Sequence, residues 1–178
     1  MIKSLLIYFT FFFMVNSTHL LFDFSKESKL SSWRIVDDVV MGGRSNGSFK
    51  INEAGNGLFY GDISLKNNGG FSSLRYSFDK LSISNYTKIV LRIKGDGKQY
   101  QFRIKDDNDN FYSYIKQFKT SGNWETIEIP LSEMYPAFRG RKLDIQNFNS
   151  NTLAQIAFLI GNKKEESFKL EIDKIYLK

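Results

Sequence analysis

The chain has 178 residues, no cysteine, one histidine, and 25 Lys and Arg against 19 Asp and Glu, for a formal charge of +6. A chain of this length folds as one domain and buries enough apolar surface to stand without covalent staples. The absence of cysteine excludes thiol chemistry and Cys-ligated zinc, and cations scattered among acids rather than gathered in a block give no expectation of a nucleic-acid partner.

The first segment reads as an address. Lys3 precedes Leu5 to Val15, in which only Thr10 is polar. Such a run matches the ~7–15-residue apolar part of a secretory signal and falls short of the ~20 residues that span a bilayer. Val15 and Ser17 suit a cleavage site, so residues 1–17 are expected to be a signal peptide and 18–178 a single exported domain, periplasmic or secreted, with no membrane span in the mature chain.

From Leu20 onward apolar and polar residues alternate with period two, the pattern of half-buried antiparallel strands. The predicted strands are Leu20–Phe24, Trp33–Val36, Ser48–Asn52, Leu58–Leu65, Leu74–Phe78, Ile89–Ile93, Tyr100–Lys105, Phe111–Phe118, Trp124–Ile129, Gln155–Ile160 and Phe168–Leu177. The joints carry turn chemistry: Gly95 and Gly97 can take the positive φ of a tight hairpin, Asp106 to Asn110 is polar throughout, and Pro130 ends a strand by withholding an N–H. Many short strands with close turn signals predict an all-β fold, a jelly-roll β-sandwich whose two sheets bury their apolar faces against each other.

Catalytic chemistry finds little support. The one histidine, His19, lies beside the expected mature terminus, a poor place for a preorganised base. Asp37, Asp38 and Asp62 could converge as a carboxylate pair, but no second signal accompanies them. The acidic run starting at Asp106 fails as an EF-hand, because Phe111 stands at its sixth position and Gln117 at its twelfth. The chain is therefore expected to bind rather than catalyse.

Four places offer a binding surface. Asp38, Met41, Gly42, Gly43 and Ser45 form a glycine-centred loop that either packs as a tight turn or admits a partner closely. Arg75 has the opposite parity to Leu74 and Tyr76 and so points away from the core. Arg139 and Arg141 lie in an expected loop, where two guanidiniums suit a carboxylate or phosphate, above a Phe138 expected to be buried. Arg103, with Gln101, Lys105, Tyr112 and Tyr114, is read as a polar and aromatic sheet face suited to a sugar or as a plain solvated face.

Several segments in order resemble the complex I intermediate-associated protein family. They are Asp37 to Ser45 (DDVVMGGRS), Gly69 to Arg75 (GGFSSLR), Trp124 with Ile127, Ile129 and Pro130, Pro136 to Arg141 (PAFRGR), and Phe168 to Ile175. The resemblance covers nearly all of residues 18–178. It implies a galactose-binding-like jelly roll; its mitochondrial members assist the assembly of respiratory complex I, but for an exported chain the fold and a binding habit are expected to carry over rather than that named role, which stands as an alternative. Related jelly rolls include carbohydrate-binding modules, so the partner is expected to be a protein or a glycan. The same likeness suggests a structural calcium between the first and last strands, at Asp23 and Asp173; no other cofactor is expected.

Overall fold

The computed structural model describes residues 17–178. The expected signal segment therefore lies, apart from Ser17, outside the described residues. Among the described residues thirteen strands follow one another: β1 (His19–Asp23), β2 (Trp33–Asp37), β3 (Asn46–Ile51), β4 (Gly57–Ile63), β5 (Ser72–Ser82), β6 (Lys88–Lys94), β7 (Gln99–Lys105), β8 (Ser113–Lys119), β9 (Trp124–Pro130), β10 (Tyr135–Phe138), β11 (Arg141–Lys142), β12 (Thr152–Ile160) and β13 (Glu166–Leu177). Among the described residues helical structure is confined to three short 3-10 turns, at Asp38–Met41, Lys66–Asn68 and Leu131–Glu133. No helix among them is long and apolar enough to cross a membrane.

The strands form two antiparallel sheets. The first runs β3-β4-β13-β6-β9, with β1 pairing the C-terminal part of β13; the second runs β11-β10-β8-β7-β12-β5-β2. Period-two alternation sends Phe59, Leu91, Ile93, Leu170 and Ile172 of the first sheet and Leu74, Phe102, Ile104, Ile156 and Phe158 of the second into one shared core, all at most 1% exposed. One end is closed by aromatics. Trp33 stacks on Tyr76 with ring centroids 4.8 Å apart and meets Phe22 edge-on at 5.3 Å. This is the jelly-roll sandwich that the alternation predicts.

Every predicted strand is present, with ends shifted by a few residues: β4 stops at Ile63 and β8 starts only at Ser113. Two strands stand where a loop was expected. β10 pairs with β8 and turns through Arg139 and Gly140, at φ +47° and +76°, into β11. Pro136 hides this strand in the sequence, since it cannot donate to a ladder; in the fold its carbonyl still accepts the Leu143 N–H at 2.9 Å. The run Asp106 to Asn110 is a turn, held by Asp107 accepting the Asp109 N–H at 3.0 Å and by Lys80 paired with Asp107 at 2.6 Å.

A groove across the second sheet

The outward face of the second sheet carries a groove of about 410 Å³, and the strand register explains its shape. Arg34 of β2 lies opposite Arg75 of β5, Arg75 opposite Ala157 of β12, Ala157 opposite Arg103 of β7, and Arg103 opposite Ile115 of β8. Strands are spaced ~4.8 Å apart, so Arg75 and Arg103 stand about 10 Å apart at their Cα atoms, on one face, with only a methyl between them. Ser73, Ser113 and Ala137 keep the rest of the floor low, while Gln101, Gln155 and Lys105 supply polar groups around it. Two apolar rims flank the floor. Met41, 57% exposed, stands on one side; on the other Phe111, 65% exposed, meets Phe138 edge-on at 5.2 Å.

The floor is cationic and poorly compensated. Arg103 donates from Nε and Nη2 to one neutral acceptor, the Gln101 side-chain oxygen, at 3.0 and 2.6 Å. Arg75 has no hydrogen bond or ion pair among the described residues. Burial and then the Arg75 charge lower the Arg103 pKa to about 10. Burial, followed by Arg34, lowers Arg75, and burial, followed by Arg75, lowers Lys105. Among the described residues no carboxylate and no histidine lines the groove. A second depression, lined by Lys98, Lys119, Lys163 and Lys164, shares Gln101 and Gly161 with the first and extends it along the same face.

The loop that carries Met41 is set by Asp38. This carboxylate is fully buried and accepts the Ser45 N–H at 2.9 Å, the Ser45 hydroxyl at 2.5 Å, the Gly70 N–H at 2.5 Å and the Phe71 N–H at 3.2 Å. Burial opposes its charge, yet the Ser45 hydroxyl and the three N–H groups together hold its pKa below the ordinary 3.8. A Cβ on Gly43 or Gly69 would overlap the same carboxylate, so both glycines permit the approach of two loops to one anion. Gly42, at φ +88°, ends the 3-10 turn. The turn thereby leaves Val39, Val40 and Met41 exposed.

The expected site residues divide accordingly. Arg75, Arg103, Met41 and Arg139 meet around the groove. Asp38, Ser45 and Gly43 are buried beneath its rim and shape the loop instead of facing a ligand. Arg141 lies on β11 outside the groove lining. Tyr112 requires correction: it packs against the core, 5.4 Å from the buried Tyr114, because the outward parity of β8 belongs to Ser113 and Ile115. Phe138 is also corrected, from buried core to an exposed rim at 37%, with the Arg139 guanidinium 5.2 Å over its ring. Asp23 and Asp173 are neighbours through the Phe24 N–H, which donates to the Asp173 carbonyl at 2.8 Å. No group of three or more His, Asp or Glu is placed to hold a metal among the described residues. Phe111, Gln155 and Leu159 line the groove without having been expected there. Parity from Ser113 would have pointed to Phe111.

Residues 22–172 match the model of the family described as "Complex I intermediate-associated protein 30". The chain belongs to this family. It is similar to complex I intermediate-associated protein 30, mitochondrial, of Drosophila melanogaster, at 24% identity over 93% of this chain and 64% of that protein. The protein of the same name from Mus musculus shows 25% identity, over 90% and 56%. The chain thus spans about three fifths of the length of these relatives. Its fold is similar to a family 11 carbohydrate-binding module of Clostridium thermocellum, solved with a β-1,3-1,4-mixed-linked tetrasaccharide. That likeness has a TM-score of 0.67 at 21% identity and covers 90% of this chain and 94% of that one. The mitochondrial relatives overturn the expectation of an exported, periplasmic or secreted protein. An apolar run behind a lone lysine does not by itself separate one targeting route from another.

Proposed function

We propose that the chain is a non-catalytic, assembly-factor-like protein that holds a protein partner in the groove of the second sheet during construction of respiratory complex I. The carrying observation is the groove itself, open, cationic on its floor and apolar at its rims, on a rigid sheet of a protein whose family bears the name of complex I intermediates. With no carboxylate or histidine in the lining, the groove offers binding groups and lacks the usual general bases. In cells that lack this chain, native gels should show less assembled complex I. Wild-type chain should restore it, and a Phe111→Ala/Phe138→Ala variant should not. Full restoration by that variant, at normal protein level, would contradict the reading.

A second reading, glycan binding, is favoured by the likeness to a carbohydrate-binding module together with the Gln101 and Gln155 amides beside exposed aromatics. A glycan array separates the two, since the assembly reading expects no hit there that depends on Phe111 or Phe138.

A further inference from the structure

The cross-strand row Arg34, Arg75, Ala157, Arg103 breaks a rule that sheets otherwise keep. Like charges directly opposite one another destabilise a strand pair, and Arg34 stands opposite Arg75 with Arg103 two strands beyond. Some cations elsewhere are answered by acids: Lys88 and Lys178 share Glu128, Lys116 meets Glu133, and Lys98 meets Asp96. On the groove floor no acid answers Arg75 or Arg103, although the chain has 19 of them. Folding alone gives no reason to gather half-buried guanidiniums over an alanine. A ligand that brings negative charge supplies one.

We propose that the groove takes an extended acidic segment of a protein partner, with a carboxylate seated between Arg75 and Arg103 and apolar side chains on the Met41 and Phe111/Phe138 rims. This deepens the assembly-factor reading and rests on it. Guanidinium forks suit carboxylate oxygens, and a site already partly shielded from water strengthens that pairing. The neighbouring depression, with Lys119, Lys163 and Lys164, continues the positive surface along the sheet, so that further acidic residues of the same segment meet charge on leaving the first groove. A neutral glycan would leave both guanidiniums uncompensated. A single-stranded nucleic acid would also compensate them and could stack bases on the exposed rings; the family's name favours a protein partner, and binding of oligouridine is the competing outcome.

Fluorescence anisotropy tests this on the intact chain with three probes: a decapeptide alternating glutamate and leucine, the same peptide with glutamine for glutamate, and an oligouridine. The glutamate peptide should bind, and weaken as salt is added. Arg75→Gln/Arg103→Gln should weaken it about tenfold or more, with a melting temperature no lower than that of the wild type showing that the fold is intact. The glutamine peptide should bind at least about tenfold more weakly than the glutamate one. Equal binding of the two peptides, equal binding by the arginine variant, or tighter binding of oligouridine than of the glutamate peptide overturns the proposal. The outcome for complex I assembly is separable. If Phe111→Ala/Phe138→Ala abolishes assembly while the arginine variant supports it fully, the groove is still the docking surface and only the acidic partner is wrong; if both variants support assembly, both readings fall.

Discussion

Asp38 and Arg103 are both charges withdrawn from bulk water, and their surroundings differ in kind. Around Asp38 one hydroxyl and three N–H groups from two loops converge, and two glycines clear the space for them. Around Arg103 a single neutral amide oxygen accepts, and the nearest influential charge is another arginine. A buried charge whose hydrogen bonds are complete is accounted for by the fold, whereas one left short of partners calls for a further account, which the proposed acidic ligand supplies. The loop knot at Asp38 therefore builds the rim, and the arginine row is what the rim surrounds.

The largest effect should come from breaking the satisfied side of this contrast. Asp38→Ala strands its donors, at a cost of roughly 3–5 kcal/mol, or on the order of 10 °C in melting temperature for a domain of this size. Urea and thermal melts read it directly. Since the pKa of Asp38 in the fold lies below its ordinary 3.8, the stability it provides is complete above that value and fades as pH falls through the lowered one. Melts through the acid range should show this loss in the wild type, and Asp38→Asn should lack that part of the slope. A wild-type slope unchanged in the variant would mean that the knot is not ionic.

Smaller effects belong to the rim. Phe111→Ala and Phe138→Ala should each cost about 1 kcal/mol or less, because both rings face solvent and their ring contacts, with each other, with Tyr112 and with Arg139, lie at the surface. A loss as large as that of a core phenylalanine, about 3–5 kcal/mol, would return Phe138 to the core where the sequence reading had it. Least of all should be the arginine pair: Arg75→Gln/Arg103→Gln is expected to leave stability unchanged or raise it by up to about 1 kcal/mol, and added salt should raise the wild-type melt more than that of the variant. A clear loss of stability would make the arginines structural.

Much of the sandwich was legible because alternation is a local signal. Leu74 and Tyr76 against Arg75, or Phe102 and Ile104 against Arg103, state which side faces the core without reference to any other strand. Arg75 and Arg103 were readable as outward residues for the same reason, but their meeting was not. Only the insertion of β12 between β5 and β7 brings residues 75 and 103 to either side of Ala157, and that pairing involves a strand some 50 residues further on. Parity failed at Tyr112 because seven residues separate β7 from β8, and the register across so long a connection is not written in either strand. The Asp38 loop was recognisable by its glycines, yet whether its carboxylate served the fold or a ligand depended on donors at Gly70 and Phe71, more than 30 residues away. Pro136 concealed β10 outright.

The most direct test follows backbone and guanidinium resonances of the intact chain while the glutamate–leucine decapeptide is added. Shifts should concentrate on Arg75, Arg103, Ala157 and Phe111, reach Met41 at the rim, and leave the amides of Ser45 and Gly70, which are bonded to Asp38, almost unmoved. Shifts centred on Ser45 and Gly70, with the arginine row silent, would contradict the account by making the satisfied loop the binding site and the unsatisfied groove a mere surface.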